Sequence, residues 1–303
     1  MSVSPVPLPQ GAQVHTIDRL GAILVAGSAL AWSMGGMIDR FIDAPDTWTV
    51  VFWRSVWACA FLSAFLAIRD GKNALNAFRS MGWPGVVVAL CFMTASISFV
   101  QAIAYTTVAN VILINAAVPL VAALIARMFL GEIISGATWA AIAAVIVGVA
   151  IMVSDGTGET GSLIGILLAL LITFVFAIAT VVTRRHAGVR MTPAVILATA
   201  MAALLAATQA SGFEVSGTDM GKLFAFGALN LGLGMALFVT GARLIPSALA
   251  ALLGTLETVL GPVWVWLIHG EKASLMTVLG GSIVVAALVV HLVVTNRVKT
   301  GAA

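Results

Sequence analysis

Charge is scarce in this sequence. Only 9% of its 303 residues are Asp, Glu, Lys or Arg, against 61% that are hydrophobic. A soluble domain carries about 25% charged residues, so a water-facing globule is excluded. Cysteine is scarcer still: Cys59 and Cys91 both fall inside apolar runs. Two such thiols build neither a disulfide framework nor a metal site, and buried free cysteines are the expectation. No phosphate loop, nucleophile motif or metal-ligand cluster is present. His269 and His291 sit at the ends of apolar runs without metal-ligand spacing, and His186 sits in a basic loop. The expectation is a protein with no cofactor, no metal and no enzymatic activity. The first 19 residues, with three prolines and no apolar core, are not a secretory leader. They read as a tail, as does the C-terminal NRVKTGAA.

What the chain does have is apolar runs of bilayer length, repeated from end to end. Ten spans are expected: Leu20–Ile38, Thr47–Ile68, Gly85–Tyr105, Val108–Phe129, Ala137–Val153, Ser162–Val182, Pro193–Ala210, Gly221–Ala242, Ser247–Ile268 and Leu275–Val294. The fold class is therefore an all-α integral membrane protein with ten transmembrane helices, its partner the lipid bilayer. Net charge is +3, but the basic residues lie between spans, where they set orientation rather than bind nucleic acid. Eleven Lys and Arg side chains fall on the side that holds both termini, against Arg40, Lys222 and Lys272 on the other. The positive-inside rule puts both termini in the cytoplasm.

One stretch organises the rest. Ser247–Glu271 carries Glu257 about eleven residues into a span, near mid-bilayer by helical rise. It also has an echo. A shift of 139 residues lays Ala109 on Ala248, Gly131 on Gly270, Glu132 on Glu271 and Ser135 on Ser274. Ser135 and Ser274 suit the N-caps of spans 5 and 10. A fainter match, shifted by 144, pairs Gly21 with Gly165 and Arg40 with Arg184. Each copy holds five spans, an odd number, so the copies insert in opposite senses. The organisation expected is a tail over 1–19, a five-helix unit over 20–155, an inverted five-helix unit over 162–294 and a tail over 295–303. Inverted repeats are a signature of secondary transporters, with the substrate near the midplane between copies.

The polar groups inside the spans are few. Glu257 is a proton-binding or substrate-contacting carboxyl, or a structural glutamate tying its helix to a neighbour; an intramembrane carboxyl defaults to a functional hypothesis. Arg54, about 10 Å deep, either snorkels to the surface in a structural role, the favoured reading, or grips a carboxylate. Ser98, Gln101 and Tyr105 share one helical face. Asn115 lies one turn before Pro119, and Trp32 and Asn230 lie in spans 1 and 8. Such groups could line a cavity for a small molecule with polar ends and an apolar part, or simply bond helix to helix. Phe99, Phe176, Trp264 and Trp266 are candidate aromatic walls; Trp48, Trp83 and Trp139 suit the interfacial belt. Gly232 and Gly234 mark a loosened stretch of span 8.

The residues resemble the drug/metabolite transporter superfamily of the ten-helix EamA type. Ala31-Trp32-Ser33 resembles the family's tryptophan motif, Phe52-Trp53-Arg54 its arginine, and Ala104-Tyr105-Thr106-Thr107 the end of its third helix. Pro119 with Gly131-Glu132, and Leu256-Glu257 with Gly270-Glu271, resemble its two repeat signatures. Thr258 departs from them, standing where the family usually has proline, which predicts a straighter helix. The chain also resembles bacterial aromatic amino-acid exporters of the YddG type. That likeness implies export of aromatic or apolar amino acids, or similar small metabolites, across the bacterial inner membrane, by a protein expected to work as a monomer. A multidrug exporter of the same fold and a non-transporting scaffold are the alternatives.

Overall fold

The computed structural model describes residues 19–131, 136–154, 163–186, 188–242, 244–245 and 247–301. All regular elements among them are helices. The first half of the chain forms α1 (Arg19–Ser33), α2 (Gly35–Asp39), α3 (Thr47–Asp70), α4 (Ala74–Ser80), α5 (Gly82–Tyr105), α6 (Val108–Asn115), α7 (Val118–Leu130) and α8 (Gly136–Ser154). The second half forms α9 (Leu163–Arg185), α10 (Thr192–Gln209), α11 (Gly217–Phe224), a π-helical segment (Ala225–Leu233), α12 (Gly234–Gly241), α13 (Ser247–His269) and α14 (Leu275–Gly301). Among the described residues seven helical stretches are long and apolar enough to cross a membrane; Gly136–Met152, Leu256–His269 and Leu275–Val290 are shorter apolar helices.

Local chemistry explains where helices begin and end. Asp46 caps α3 by accepting from Thr49 N at 2.8 Å, and Thr107 caps α6 by accepting from Asn110 N at 3.2 Å. Ser274 accepts from Thr277 N at 3.0 Å and so caps α14 as expected. Glu132, Ser135 and Pro246 lie outside the described residues. Gly131 and Gly270 end α7 and α13 with the same left-handed backbone, φ 67° in each, a conformation glycine adopts without strain. The Gly-Glu echo is thus also an echo of backbone.

Span 4 is not one unbroken helix. It stops at Asn115 and restarts at Val118, because Pro119 has no N–H and its ring excludes the carbonyl four residues back. Shifted by 139, the corresponding residue is Thr258, which keeps its N–H; α13 runs without a break from Ser247 to His269 and carries Pro262 further along. Span 1 breaks as well, at Met34, and span 8 widens into the π segment.

The most extensive helix pairings all join one half of the chain to the other. α5 packs on α9 and α10, α3 on α10 and the π segment, α1 on α12 and α13, and α8 on α14. The halves are interlocked rather than set side by side. Outward faces carry the large apolar side chains that lipid requires: Ile68, Leu75, Phe129 and Leu204 are each more than 70% exposed. Trp83 and Trp139 are also exposed, as interfacial residues should be.

Gly227 makes one of the close approaches that position the interior. Its Cα faces the backbone carbonyl of Arg54, with no room for a methyl group. Gly227→Ala should lower stability by about 1–3 kcal/mol and lower the thermal unfolding midpoint in detergent. An unchanged midpoint would mean that the π segment yields freely.

Candidate functional site

A cavity of about 170 Å3 opens inside the bundle, walled by helices of both halves. Its volume is below the roughly 300–1,000 Å3 of drug-sized sites, so it suits a small solute. α5 contributes Phe92, Ala95, Ser96 and Phe99, one continuous face at i, i+3, i+4 and i+7. α1 contributes Trp32, α9 Ile172 and Phe176, α10 Val195, Ala198 and Thr199, and α12 Met235. Phe92 and Phe176 meet edge to face, their ring centroids 5.2 Å apart.

The irregular backbone converges here. Asn115 stands at the α6–α7 break with its Oδ1 buried and unpaired. Asn230, in the π segment, donates to the carbonyls of Ala31 at 2.6 Å and Trp32 at 3.2 Å. The Trp32 carbonyl is one that the end of α1 would otherwise leave without a partner, while the Ala31 carbonyl also accepts from Met34 N at 3.4 Å. Asn230 therefore lines the cavity and ties helices together at once.

Two charged side chains reach the wall. Arg54 does not snorkel to the surface. Its side chain turns inward and is buried, with the guanidinium carbon 4.4 Å from the Phe226 ring centroid and 5.6 Å from that of Phe99. Nη1 donates to Ser96 Oγ at 2.8 Å, while Nε is buried without an acceptor. The aromatic faces and the serine hold the cation where lipid would repel it. Glu257, on α13, faces the same cavity, and no hydrogen bond or ion pair joins it among the described residues.

The other expected site residues stand elsewhere. Ser98 is buried on a different face of α5. Gln101 accepts from Thr47 Oγ1 at 2.8 Å, leaving its Nε2 buried and unpaired. Tyr105 is half exposed at the end of α5. Trp264 donates to Ser33 Oγ at 3.0 Å and packs into the core behind the cavity, and Trp266 faces outward. Ser96, Phe92, Thr199 and Met235 escaped the sequence reading. The aromatic-small-polar-aromatic spacing of Phe92, Ala95, Ser96 and Phe99 was the pattern that could have revealed them.

Beyond the cavity, at the end that carries the acidic loops, polar bonds fasten the halves together. Arg40 pairs with Glu271 at 3.0 Å and donates to Thr106 O at 3.2 Å. The second Glu271 oxygen accepts from Val108 N at 2.9 Å. His269 donates to Met37 O at 3.0 Å, and Lys222 bonds Phe41 O at 2.6 Å and Asp219 at 2.7 Å. Asp46 accepts from both the backbone and the hydroxyl of Ser211. Burial opposes the Asp46 charge, but the hydrogen bonds from Ser211 and Thr49 outweigh it and hold the carboxyl at about 2. At the basic end, one ion pair joins the halves among the described residues, Arg190 to Asp70 at 2.8 Å.

A small polar and aromatic chamber enclosed by apolar helices defines a multi-pass membrane carrier of small solutes. The chain belongs to the EamA-like transporter family, whose pattern matches residues 19–154 and again residues 163–293. It is accordingly a membrane transporter of the drug/metabolite transporter superfamily, with a small-molecule substrate. Curated proteins offer no match. Solved structures of 27 chains are similar. One, a crystal structure described only as that of a protein, covers 92% of this chain and 98% of its own at a TM-score of 0.66 and 16% identity. That likeness shows the fold alone.

The two asparagines should respond differently to truncation. Asn230→Ala strands the Trp32 carbonyl and removes the bond to Ala31 O, and should cost roughly 1–3 kcal/mol of stability, whereas Asn115→Ala removes an unpaired group and should cost little. Thermal unfolding of both variants checks this, and equal losses would contradict it.

Proposed function

We propose that the protein is a secondary transporter that exports aromatic or apolar amino acids, or similar small metabolites, by alternating access. It would cross the bacterial inner membrane ten times, with both termini in the cytoplasm and the two five-helix units inverted. The observation that carries the reading is the cavity itself: walls from both halves, several rings, uncharged polar groups, and one guanidinium and one carboxyl, Arg54 and Glu257. Phosphate-bearing solutes call for several convergent cations; a net-neutral solute with an apolar side chain matches this wall better.

Inversion is supported by the helix pairing. Exchanging the halves takes α1 to α9, α3 to α10, α5 to the π segment with α12, α6 and α7 to α13, and α8 to α14. Under that exchange α5 on α9 becomes α12 on α1, and α5 on α10 becomes the π segment on α3. Likewise α1 on α13 becomes α9 on α6 and α7, while α3 on α10 and α8 on α14 map onto themselves; each of these pairings occurs. An odd number of crossings per unit makes the relating axis lie in the membrane plane. The fastened acidic end is the outer gate in its closed position, and rocking one unit against the other would part Arg40 from Glu271.

Cysteines placed at Ser135 and Ser274, with Cys59 and Cys91 replaced, should label from opposite sides of the membrane. Labelling from one side would end the inverted arrangement.

Counterflow of labelled amino acids in proteoliposomes, with and without a pH gradient, tests the transport reading. Phenylalanine should exchange. If protons drive export, Glu257→Gln should abolish concentrative transport while the protein remains folded; unchanged uphill transport removes Glu257 from coupling. Protection by the protein against lipophilic cationic dyes, without amino-acid counterflow, would favour a multidrug exporter.

A further inference from the structure

We propose that the cavity takes an α-amino acid as an intact zwitterion, its carboxylate on Arg54 and its ammonium on Glu257. This rests on the reading of the cavity as the transport site and says which two atoms groups of the solute the wall recognises.

A guanidinium has five N–H donors in a planar fork. Arg54 spends one on Ser96, and its Nε has no acceptor. Asp39 acts on it electrostatically, but no hydrogen bond joins the two. The ring faces of Phe226 and Phe99 hold the cation without answering its donors. A buried cation with open donors beside a cavity awaits a planar anion, and a carboxylate fits the fork with two bonds. Glu257 supplies the complement: when ionised it offers only acceptors, and no protein donor reaches it among the described residues. A solute that answers both groups carries one negative and one positive end and no net charge. Trp32, Phe92 and Phe176 provide the apolar wall for its side chain, and ring faces also tolerate an ammonium. A simple amine leaves Arg54 unanswered, and a simple acid leaves Glu257 unanswered. Either way a buried charged group stays without its partner, the arrangement by which sites reject analogues most strongly.

The test is a binding titration of the full-length purified chain with phenylalanine, phenethylamine and 3-phenylpropionate, which share the ring and differ in the charged ends. Phenylalanine should bind at least about tenfold more tightly than either analogue. Arg54→Gln should bring phenylalanine down to the level of phenethylamine, and Arg54→Lys should keep part of the preference. Glu257→Gln should bring it down to the level of 3-phenylpropionate. Equal affinities for all three ligands in the native protein overturn the zwitterion assignment while leaving the cavity as a transport site. Absence of any binding, together with absence of amino-acid counterflow, overturns the transport reading instead. The native protein with three ligands decides the matter even if an Arg54 variant fails to fold.

Discussion

Hydrocarbon offers backbone N–H and C=O groups nothing to bond with, so a chain inside it must satisfy them itself. That constraint orders the whole structure. It makes every spanning segment a helix, and it forbids irregular backbone wherever lipid would touch it. The departures from regular helix are the break at Met34, the break between Asn115 and Val118, and the π segment from Ala225 to Leu233. The second and third reach the cavity wall through Asn115, Asn230 and Leu231, and the first lies two residues beyond Trp32, which also lines it. Asn230 shows how the cost is met: a side chain from one irregular stretch bonds carbonyls beside another. At the cavity, the broken stretches bring the polar side chains of Asn115 and Asn230 to the wall.

The two halves share a pattern but not every detail. Pro119 breaks span 4, while Thr258, its counterpart, leaves α13 continuous. The first half therefore contributes a broken helix and Asn115 to the cavity wall, and the second contributes a whole helix carrying Glu257. Duplication supplies the architecture, and divergence between copies supplies the chemistry. Because helices pair mainly across the halves, neither half encloses the cavity alone. The bonds at the acidic end and the Arg190–Asp70 pair at the basic end lie on opposite sides of it. Membership of the EamA-like transporter family agrees with this division between a shared scaffold and a particular wall.

Much of this was legible beforehand. Trp32, Arg54, Phe99, Asn115, Phe176, Asn230 and Glu257 stand out in the sequence because polar or aromatic groups within long apolar runs are few, and all seven reach the cavity. Ser98, Gln101, Tyr105 and Trp264 stand out on the same grounds and do not reach it. Spacing tells which residues share a helical face, but not which face turns inward. On α5 the inward face bears Phe92, Ser96 and Phe99, and Arg54 donates to Ser96 there.

From the sequence alone came the membrane class, the duplicated pattern, the glycine that ends α7 and the glycine that ends α13, and the short roster of polar groups within the spans. These follow from composition and local backbone chemistry, which act within a few residues of one another. Only the tertiary structure decided that Arg54 turns inward, that Asn230 bonds the end of α1, and that Glu271 joins Arg40 to the start of α6. Each is a contact between residues far apart in the chain, and such contacts exist only once two helices have chosen which sides to press together.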